Sequence, residues 1–159
     1  LFWRQNMSGI GDNIEAVDKK NLAELLPLMR QYQEFYQVTD ISDERNRQFF
    51  SQFGIDNPFG CQFLYRQKGQ AIGFATVYLT YTSTIAAKVA IMNDLFTATT
   101  ARGKGVGRKL IEHCRQYAKA SGAVRLQWVT GEDNTSAQVL YDSLDTASRS
   151  WKFYTYPAE

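Results

Sequence analysis

The sequence predicts a mixed α/β domain in which helices cover both faces of a mostly antiparallel central sheet. Two observations carry this prediction. The 159 residues are 44% hydrophobic and 14% aromatic, which is enough apolar material for one buried core. Runs rich in β-branched and aromatic residues are joined first by a short turn and later by segments of helical periodicity, an order typical of a mixed sheet.

Two helices are predicted in the first third of the chain. Asp18 can cap a helix from Lys19 onward, because apolar residues then recur at helical spacing, and Pro27 should kink or split this helix. Asp43 can cap a second helix, which carries three phenylalanines and stops at Gly54. Both helices should cover the sheet.

Four strands are predicted in the first hundred residues, from their content of β-branched and aromatic side chains. They are residues 13–17, 62–66, 71–81 and 88–97. Only Gln67-Lys68-Gly69-Gln70 separates the second from the third, and such a segment is typical of a hairpin turn. These two strands should therefore pair antiparallel.

The last third of the chain alternates helix and strand. Residues 103–121 form the longest predicted helix, with Gly122 as its left-handed stop. A strand over 124–130 and a helix over 134–144 follow, and residues 151–156 are predicted to close the domain as an aromatic strand.

Composition predicts no membrane segment. No apolar run approaches the roughly 18 residues that cross a bilayer. Residues 1–6 lack the basic and apolar regions of a signal peptide and are typical of a short leader or expression remnant before Met7. We therefore expect a cytoplasmic protein whose single domain spans residues 7–159.

Metal and disulfide chemistry are not expected either. The chain has two cysteines, Cys61 and Cys114, and one histidine, His113, too few and too scattered for a zinc site or a disulfide framework. Both thiols should be reduced and buried. Adjacent helical residues point about 100° apart, so His113 and Cys114 do not suit a nucleophile pair, and His113 should lie at the surface or the core boundary.

The net charge is only +2, but its distribution is uneven. Residues 98–125 hold seven Lys or Arg and one acid, whereas residues 34–44 hold four acids and no Lys or Arg. The basic stretch should favour an anion, and the acidic stretch could favour a cation.

One motif that carries chemistry lies at the start of the long helix. It consists of Arg102-Gly103-Lys104-Gly105-Val106-Gly107-Arg108. Each glycine costs a helix about 1 kcal/mol relative to alanine, and close approach of a ligand to the backbone would explain them. The unpaired N–H groups and the positive dipole of a helix N-terminus suit a pyrophosphate, so we expect an anionic cofactor here.

The spacing of the glycines distinguishes among the known types of phosphate-binding loop. Neither the dinucleotide pattern G-x-G-x-x-G nor a P-loop is present. The pattern Arg102-x-x-Gly105-x-Gly107 instead resembles the acetyl-CoA pyrophosphate loop of the GNAT superfamily of N-acetyltransferases. Asn134-x-x-Ala137-x-x-x-Tyr141 resembles that superfamily's second signature. The chain is most similar to the branch that contains histone, polyamine and D-amino-acid N-acetyltransferases.

The resemblance implies a sheet splayed between its fourth and fifth strands, and acetyl-CoA as cosubstrate. A bulge in the fourth strand, over residues 92–97, would free main-chain groups for the pantetheine arm. One departure is Asp145 after Leu144, where the superfamily often has glycine, so the backbone there is either left-handed or takes another route. The implied cofactor-binding residues are Leu95, Phe96, Thr97, Arg102, Gly103, Lys104, Gly105, Val106, Gly107, Arg108, Asn134, Ala137 and Tyr141.

The resemblance also implies direct attack of an amine on the thioester, without a covalent enzyme intermediate. Tyr141 would protonate the CoA thiolate, although its place on an apolar stripe is also typical of a core tyrosine. Asp94 could accept the amine proton through water or could cap the bulge, and Glu132 and Asp133 are further candidates for the base. Position 93 carries Asn93, where polyamine acetyltransferases have Glu, so no carboxylate base is available there.

The sequence therefore predicts an acetyl-CoA-dependent N-acetyltransferase that acts on a small amine or a lysine-containing peptide. Two alternatives stay open, a non-catalytic acetyl-CoA-binding regulatory domain and a nucleic-acid-binding module that uses the basic helix. The second lacks any aromatic RNA-binding or recognition-helix signature. No nucleic-acid, membrane or metal partner is expected, and the predicted strand 151–156 could pair across a homodimer.

Overall fold

A five-stranded sheet with the order β1-β2-β3-β4-β5 organises most of the chain. The computed structural model describes residues 12–158. The first four strands pair antiparallel in sequence order, and β4 pairs parallel with β5, so the predicted mixed, mostly antiparallel sheet is confirmed. The strands are β1 (Asn13–Ala16), β2 (Gly60–Gln67), β3 (Gln70–Thr82), β4 (Ala87–Thr97) and β5 (Leu126–Gln127).

The described residues fall into two compact units that divide after Val129, and each unit is described by itself. The leader expected at residues 1–6 and the start expected at Met7 lie outside the described residues. The single domain expected over residues 7–159 stays a prediction. No described helix is both long enough and apolar enough to cross a membrane.

Four α-helices accompany the sheet. They are α1 (Leu22–Phe35), α2 (Asp43–Phe50), α3 (Val106–Ala120) and α4 (Thr135–Asp142). The prediction that Pro27 splits the first helix is wrong. Pro27 lies inside α1, near its N-terminal end, and the helix continues to Phe35.

The helix caps differ from the predicted ones by one to three residues. Asp18 accepts hydrogen bonds from the backbone N–H groups of Lys20 and Asn21 in the turn before α1, and the cap position itself is Asn21. Ser42, rather than Asp43, caps α2, because its hydroxyl accepts from the N–H of Arg45. Asp43 is the first helical residue, where a carboxylate still complements the helix dipole. The second helix ends at Phe50, before the predicted stop at Gly54.

The sheet is covered on both faces because consecutive strand residues point to opposite sides. Leu64 of β2 belongs to the apolar cluster built with Leu25 and Met29 of α1. Its neighbour Phe63 faces the other way, and its ring packs against that of Tyr117 on α3, with centroids 5.2 Å apart. The helices therefore cover both faces, as predicted.

The hairpin between β2 and β3 has the predicted turn. Lys68 and Gly69 both have positive φ, at 51° and 79°, which is the geometry of a two-residue hairpin whose twist matches its strands. Glycine at the second of these positions adopts the left-handed conformation without a Cβ clash.

Two predicted strands are wrong in extent. The strand expected over 124–130 has only two residues, Leu126–Gln127, and residues 151–156 contain no strand in the described part of the chain. A strand needs a neighbour whose backbone groups it can pair with, and an aromatic pattern alone does not supply one. The side chains of Trp151, Phe153 and Tyr156 are exposed.

Candidate active site

The loop before α3 has the backbone that the glycine motif predicts. Gly103 and Gly105 have φ of 74° and 79°, and no protein atom lies within 4 Å of a Cβ built on either one. Both glycines are therefore required by backbone conformation, not by crowding within the protein. Helix α3 begins at Val106, after these left-handed residues, and not at the predicted residue 103.

The N-terminus of α3 presents a row of free donors. The first hydrogen bond of the helix runs from the N–H of Lys109 to the carbonyl of Gly105. Among the residues that the structure describes, no oxygen accepts from the N–H groups of residues 103–107. Free N–H groups at the positive end of a helix dipole form an anion site.

The cations around this loop are largely held by protein groups. Arg102 donates from Nε to the carbonyl of Thr97 at 3.1 Å, and its guanidinium lies 5.8 and 5.9 Å from the ring centroids of Phe35 and Phe96. Lys109 forms an ion pair with Asp12 at 2.7 Å. Arg102 therefore ties the end of β4 to its loop, and an anion would meet mainly backbone N–H groups.

The fourth strand carries the expected bulge. Thr76 of β3 pairs with Asp94, whereas the next residue, Val77, pairs with Met92, so Asn93 is the extra residue. On the other side, β4 pairs with β5 only at Ala90 and Ile91. Beyond Ile91, the described part of the chain places no strand along this edge of β4. On this unpaired side, main-chain groups of residues 92–97, which include Leu95, Phe96 and Thr97, can therefore form hydrogen bonds with a ligand.

A buried polar row crosses the sheet at this bulge, on the face that α1 covers. Gln62 of β2 pairs in register with Thr76 of β3, which pairs with Asp94 of β4. Gln62 and Thr76 are fully buried, and Asp94 is 7% exposed. The Nε2 group of Gln62 donates to Oγ1 of Thr76 at 3.2 Å. We call these three residues the polar row.

Three neutral groups that can donate hydrogen bonds lie around Asp94. Burial raises the pKa of its carboxyl group, while hydrogen bonds from Thr76, Tyr32 and Asn93 oppose this shift. The contact from Asn93 runs from Nδ2 to Oδ1 at 3.1 Å. A buried carboxylate with several donors remains available as a proton acceptor in its charged form.

Aromatic rings surround this carboxylate. The ring of Tyr32 lies edge-on to those of Phe74 and Phe96, with centroids 5.7 and 6.1 Å apart. Burial, followed by the charge of Asp94, raises the pKa of Tyr32, and the same two causes raise the pKa of Tyr78 to about 12. Both phenols therefore stay neutral at physiological pH.

The acidic stretch over residues 34–44 is partly neutralised. Asp43 forms an ion pair with Arg30 at 2.9 Å, and Asp40 forms one with Arg45 at 3.1 Å. Both pairs are exposed to solvent. The attraction for a cation that the sequence suggests here is reduced accordingly, because these two carboxylates already have cationic partners.

In the second unit, the predicted signature lies along one stripe of α4. Asn134, Ala137 and Tyr141 are half-buried, whereas most residues between them are exposed. Asn134 stands at the N-cap position and donates from Nδ2 to Oγ1 of Thr130 at 3.3 Å. Glu132 and Asp133 are exposed residues of the loop before this helix.

The segment after α4 uses the second of the two routes left open by the sequence. Asp145 is not among the positive-φ residues of the described chain, so it does not replace the expected glycine in a left-handed cap. Instead α4 ends at Asp142, and the N–H of Leu144 donates to the carbonyl of Tyr141.

Cysteine and histidine positions agree with the sequence predictions. Cys61 and Cys114 are both free thiols and fully buried, and burial raises both of their pKa values. His113 is half-buried, with its ring centroid 4.6 Å from that of Phe63. Burial lowers the pKa of His113 to about 4, so its imidazole is neutral at pH 7. The described residues contain no metal-binding cluster of His, Cys, Asp and Glu.

Comparison with known proteins identifies the family. Residues 25–145, from α1 to just beyond α4, match the model of the acetyltransferase (GNAT) family. The chain belongs to the GNAT family. It is therefore an acetyl-CoA-dependent N-acetyltransferase, with acetyl-CoA as cosubstrate and an amine as acceptor.

Individual relatives agree with this family. An uncharacterized N-acetyltransferase of Bacillus subtilis (strain 168), YhfO, is 32% identical over 130 residues, covering 82% of this chain and 86% of its own. The D-amino-acid N-acetyltransferase HPA3 of Saccharomyces cerevisiae (strain ATCC 204508 / S288c) is 37% identical over 131 residues, covering 80% of both chains. The crystal structure of a probable acetyltransferase is 29% identical, with a TM-score of 0.79 over 92% of this chain and 97% of its own.

Sequence reasoning missed three residues that contact Asp94 directly or through a neighbour. They are Tyr32, whose place among apolar residues at helical spacing favours the core over a substrate pocket, and Thr76 and Gln62, which the sequence does not single out. Gln62 and Thr76 are polar residues in strands whose other buried members are largely apolar, and that interruption of the pattern was the available signal. Tyr32 gave no such signal, because tyrosine fits an apolar helix stripe.

Proposed function

We propose that this GNAT enzyme transfers the acetyl group directly from acetyl-CoA to a small primary amine in a ternary complex, with Asp94 as the general base. The observation that carries the proposal is a buried carboxylate at the β4 bulge, next to the edge of β4 that has no strand partner beyond Ile91 among the described residues. Base, bulge and free main chain lie within a few residues of one another.

The cofactor would bind along two backbone segments. The free N–H groups at the start of α3 suit the pyrophosphate, and the main chain of residues 95–97 suits the amide groups of the pantetheine arm. A main-chain N–H at the bulge would polarise the thioester carbonyl, and a preorganised donor of this kind contributes roughly 10² to 10³ in rate. Asn134 and Ala137 are proposed contacts of the same arm, on the strength of the family match over residues 25–145.

The base is needed because an alkylammonium ion has no lone pair with which to attack. Asp94 would take one proton from the ammonium group, directly or through water. The amine then forms the C–N bond at the thioester carbonyl, the C–S bond breaks to release the CoA thiolate, and the new amide nitrogen gives up its second proton to solvent. The donors around Asp94 favour its charged form, which is the form that accepts a proton.

Tyr141 would protonate the leaving thiolate and then recover a proton from solvent. Its phenol lies on the half-buried stripe of α4 that carries the second family signature. General acid catalysis of this kind is worth roughly 10² to 10⁴ in rate.

The proposed acceptor is a small amine and not a lysine-containing peptide. The yeast relative is named for D-amino acids, which are small amines. The partial neutralisation of Asp40 and Asp43 also removes two charges that would attract a basic peptide.

We also propose that the enzyme is a cytoplasmic homodimer without a nucleic-acid or membrane partner. Trp151, Phe153 and Tyr156 are close in sequence and each more than 80% exposed, and large exposed apolar surfaces commonly mark an interface. Light scattering should give twice the chain mass, and a Trp151→Ser, Phe153→Ser variant should give the chain mass. A wild-type monomer at 100 µM, roughly the upper end of assay concentrations, would exclude the dimer.

The proposed reaction is tested by release of free CoA thiol from acetyl-CoA across a panel of D- and L-amino acids, polyamines and a lysine peptide. We expect amine-dependent release, fastest with a small amine, and an N-acetylated product by mass spectrometry. Tight acetyl-CoA binding without release from any amine would instead support the regulatory alternative.

A further inference from the structure

The polar row is unusual for its place in the fold. It lies on the α1 face of the sheet, where the adjacent cross-strand residues Leu64, Phe74 and Phe96 are all buried members of the apolar cluster. Of the four buried polar or charged residues described, Gln62, Thr76 and Asp94 are three. Burying polar side chains in such a row is unfavourable unless their hydrogen bonds serve one another.

The orientation of the Gln62 amide determines what Thr76 can do. Because Nε2 of Gln62 donates to Oγ1 of Thr76, the single hydroxyl proton of Thr76 is free to be directed to Asp94, its cross-strand neighbour on the same face of the sheet. If the amide were reversed, Thr76 would donate to Gln62 and could not donate to Asp94. The observed orientation leaves Oε1 of Gln62 buried without a hydrogen-bond partner among the described residues.

The unpaired oxygen argues against a purely structural role for Gln62. A buried acceptor without a partner destabilises the folded state, and an apolar residue of similar size would avoid that cost. Stability alone would therefore favour leucine at this position. The presence of the Gln62 amide is explained if its N–H group orients the hydroxyl of Thr76, and this hydroxyl in turn acts on Asp94.

We propose that Gln62 and Thr76 are positioning residues that orient one hydroxyl donor toward Asp94 and so keep this base in its carboxylate form. Neither residue needs to touch the substrate. The inference rests on the proposed function in one respect only, the role of Asp94 as base. The arrangement of the three side chains across the sheet is a property of the folded chain.

Several groups outside the polar row also lie close to Asp94 or act on its neighbours. Tyr32 from α1 and Asn93 from β4 donate hydrogen bonds to it, and Tyr78 from β3 lies within its electrostatic reach. Tyr36 acts on Tyr32, with ring centroids 4.9 Å apart. These groups are unchanged in the variants below, so differences among the variants report on the polar row.

The test measures the protonation of Asp94 directly, by its ¹³C carboxyl NMR signal, with Asp94→Asn to assign it. In Thr76→Val the titration midpoint should rise by about one pH unit, because a donor to the charged form is lost. In Gln62→Leu it should rise by roughly half as much, because Thr76 keeps its hydroxyl but loses the group that orients it. Thr76→Ser retains the hydroxyl and should titrate like the wild type.

Two further measurements separate positioning from packing. Leu64→Val, a change on the same strand and face, should lower the unfolding midpoint without moving the Asp94 titration. Gln62→Leu should keep or raise the unfolding midpoint, and the acid limb of its kcat/KM profile should shift upward with the Asp94 signal.

The outcomes distinguish the inference from the proposed function. An Asp94 midpoint that is unchanged in both Thr76→Val and Gln62→Leu overturns the inference, whether or not the protein turns over. An equal shift in Leu64→Val also overturns it, because any packing change would then suffice. Shifts as expected in a protein that acetylates no amine would support the polar row and reject the proposed reaction.

Discussion

A carboxylate inside a sheet must be stabilised by its neighbours, and Asp94 shows how this is done with neutral groups. Its three donors are a hydroxyl, a phenol and an amide, all of them neutral. An Arg or Lys partner would lower the pKa and weaken the carboxylate as a base. Neutral donors favour the carboxylate form of Asp94 without cancelling the effect of burial, which raises its pKa and keeps it basic.

The proposed role of Tyr141 as general acid can be tested by removing its phenol oxygen. Tyr141→Phe removes one hydroxyl and keeps the ring, so a core tyrosine should lose little activity. A general acid should lower kcat by about 10² or more, with acetyl-CoA affinity nearly unchanged, because its contribution is made in the transition state.

The measurement is kcat at neutral pH under conditions where chemistry limits turnover. Tyr81→Phe, on an exposed tyrosine of β3, serves as the control and should be wild-type-like. A Tyr141→Phe enzyme with wild-type kcat would show that Tyr141 has only a structural role. No residue would then be assigned as the acid that protonates the CoA thiolate.

For individual residues, the sequence predicted which side chains could act as a base better than it predicted which side chains lie next to one another. Asp94 was recognisable as a charge in an apolar strand, and its neutral neighbour Asn93 was recognisable as a residue that cannot be a base. The pairing of Gln62, Thr76 and Asp94 was not predictable, because it depends on the register of three strands and on the one-residue shift at the bulge.

The anion site of helix α3 depends on the backbone conformation at the start of the helix, and not on its amino-acid composition alone. Gly105 is left-handed, the first N–H groups of the helix have no acceptor among the described residues, and the helix dipole adds to their attraction for an anion. At the other end of the same helix, Gly122 has nearly the same φ, 78°, but serves as a stop.

These two glycines provide a matched test of the pyrophosphate site. Gly105→Val should raise the dissociation constant of acetyl-CoA at least about tenfold, because a β-branched residue does not hold the left-handed conformation that aligns the donors. Gly122→Val imposes the same backbone strain at the far end of α3 and should leave the affinity unchanged.

Isothermal titration of both variants with acetyl-CoA gives the comparison, and circular dichroism checks that each is folded. Wild-type affinity in a folded Gly105→Val protein would show that the cofactor does not depend on this loop. Equal loss in both variants would mean that general strain in α3, not the loop, is responsible.

The elements themselves were predicted with different success. Long periodic helices and the hairpin were predicted because their signals are local, in spacing and turn residues. The strands over 124–130 and 151–156 were over-predicted, because a strand exists only where a neighbour pairs with it and the sequence does not state its neighbours.

For the molecule as a whole, the half-buried His113 links stability to pH. Burial lowers the pKa of His113 to about 4, whereas its value in the unfolded chain is about 6.5. Between these values the unfolded chain holds a proton that the folded chain lacks. The stability associated with His113 is therefore complete above pH 6.5 and is lost as the pH falls toward 4, by at most about 1.4 kcal/mol per pH unit.

The variant His113→Phe should be less sensitive to acid, since it keeps an aromatic contact with Phe63 but does not titrate. Urea unfolding at pH 7.5 and pH 5 measures the free energy of unfolding of both proteins. We expect a larger loss between the two pH values in the wild type. An equal loss in both proteins would show that His113 is not the group responsible.

The most direct test of acetyl transfer at this site is the pH dependence of amine-dependent CoA release by the wild type and by Asp94→Asn, with the best amine of the panel. We predict that Asp94→Asn lowers kcat/KM at pH 7 by about 10² or more, with acetyl-CoA affinity unchanged, and that the deficit narrows at high pH as the free amine becomes abundant. An Asp94→Asn enzyme with the wild-type kcat/KM and the wild-type pH profile would contradict the assignment of Asp94 as the base.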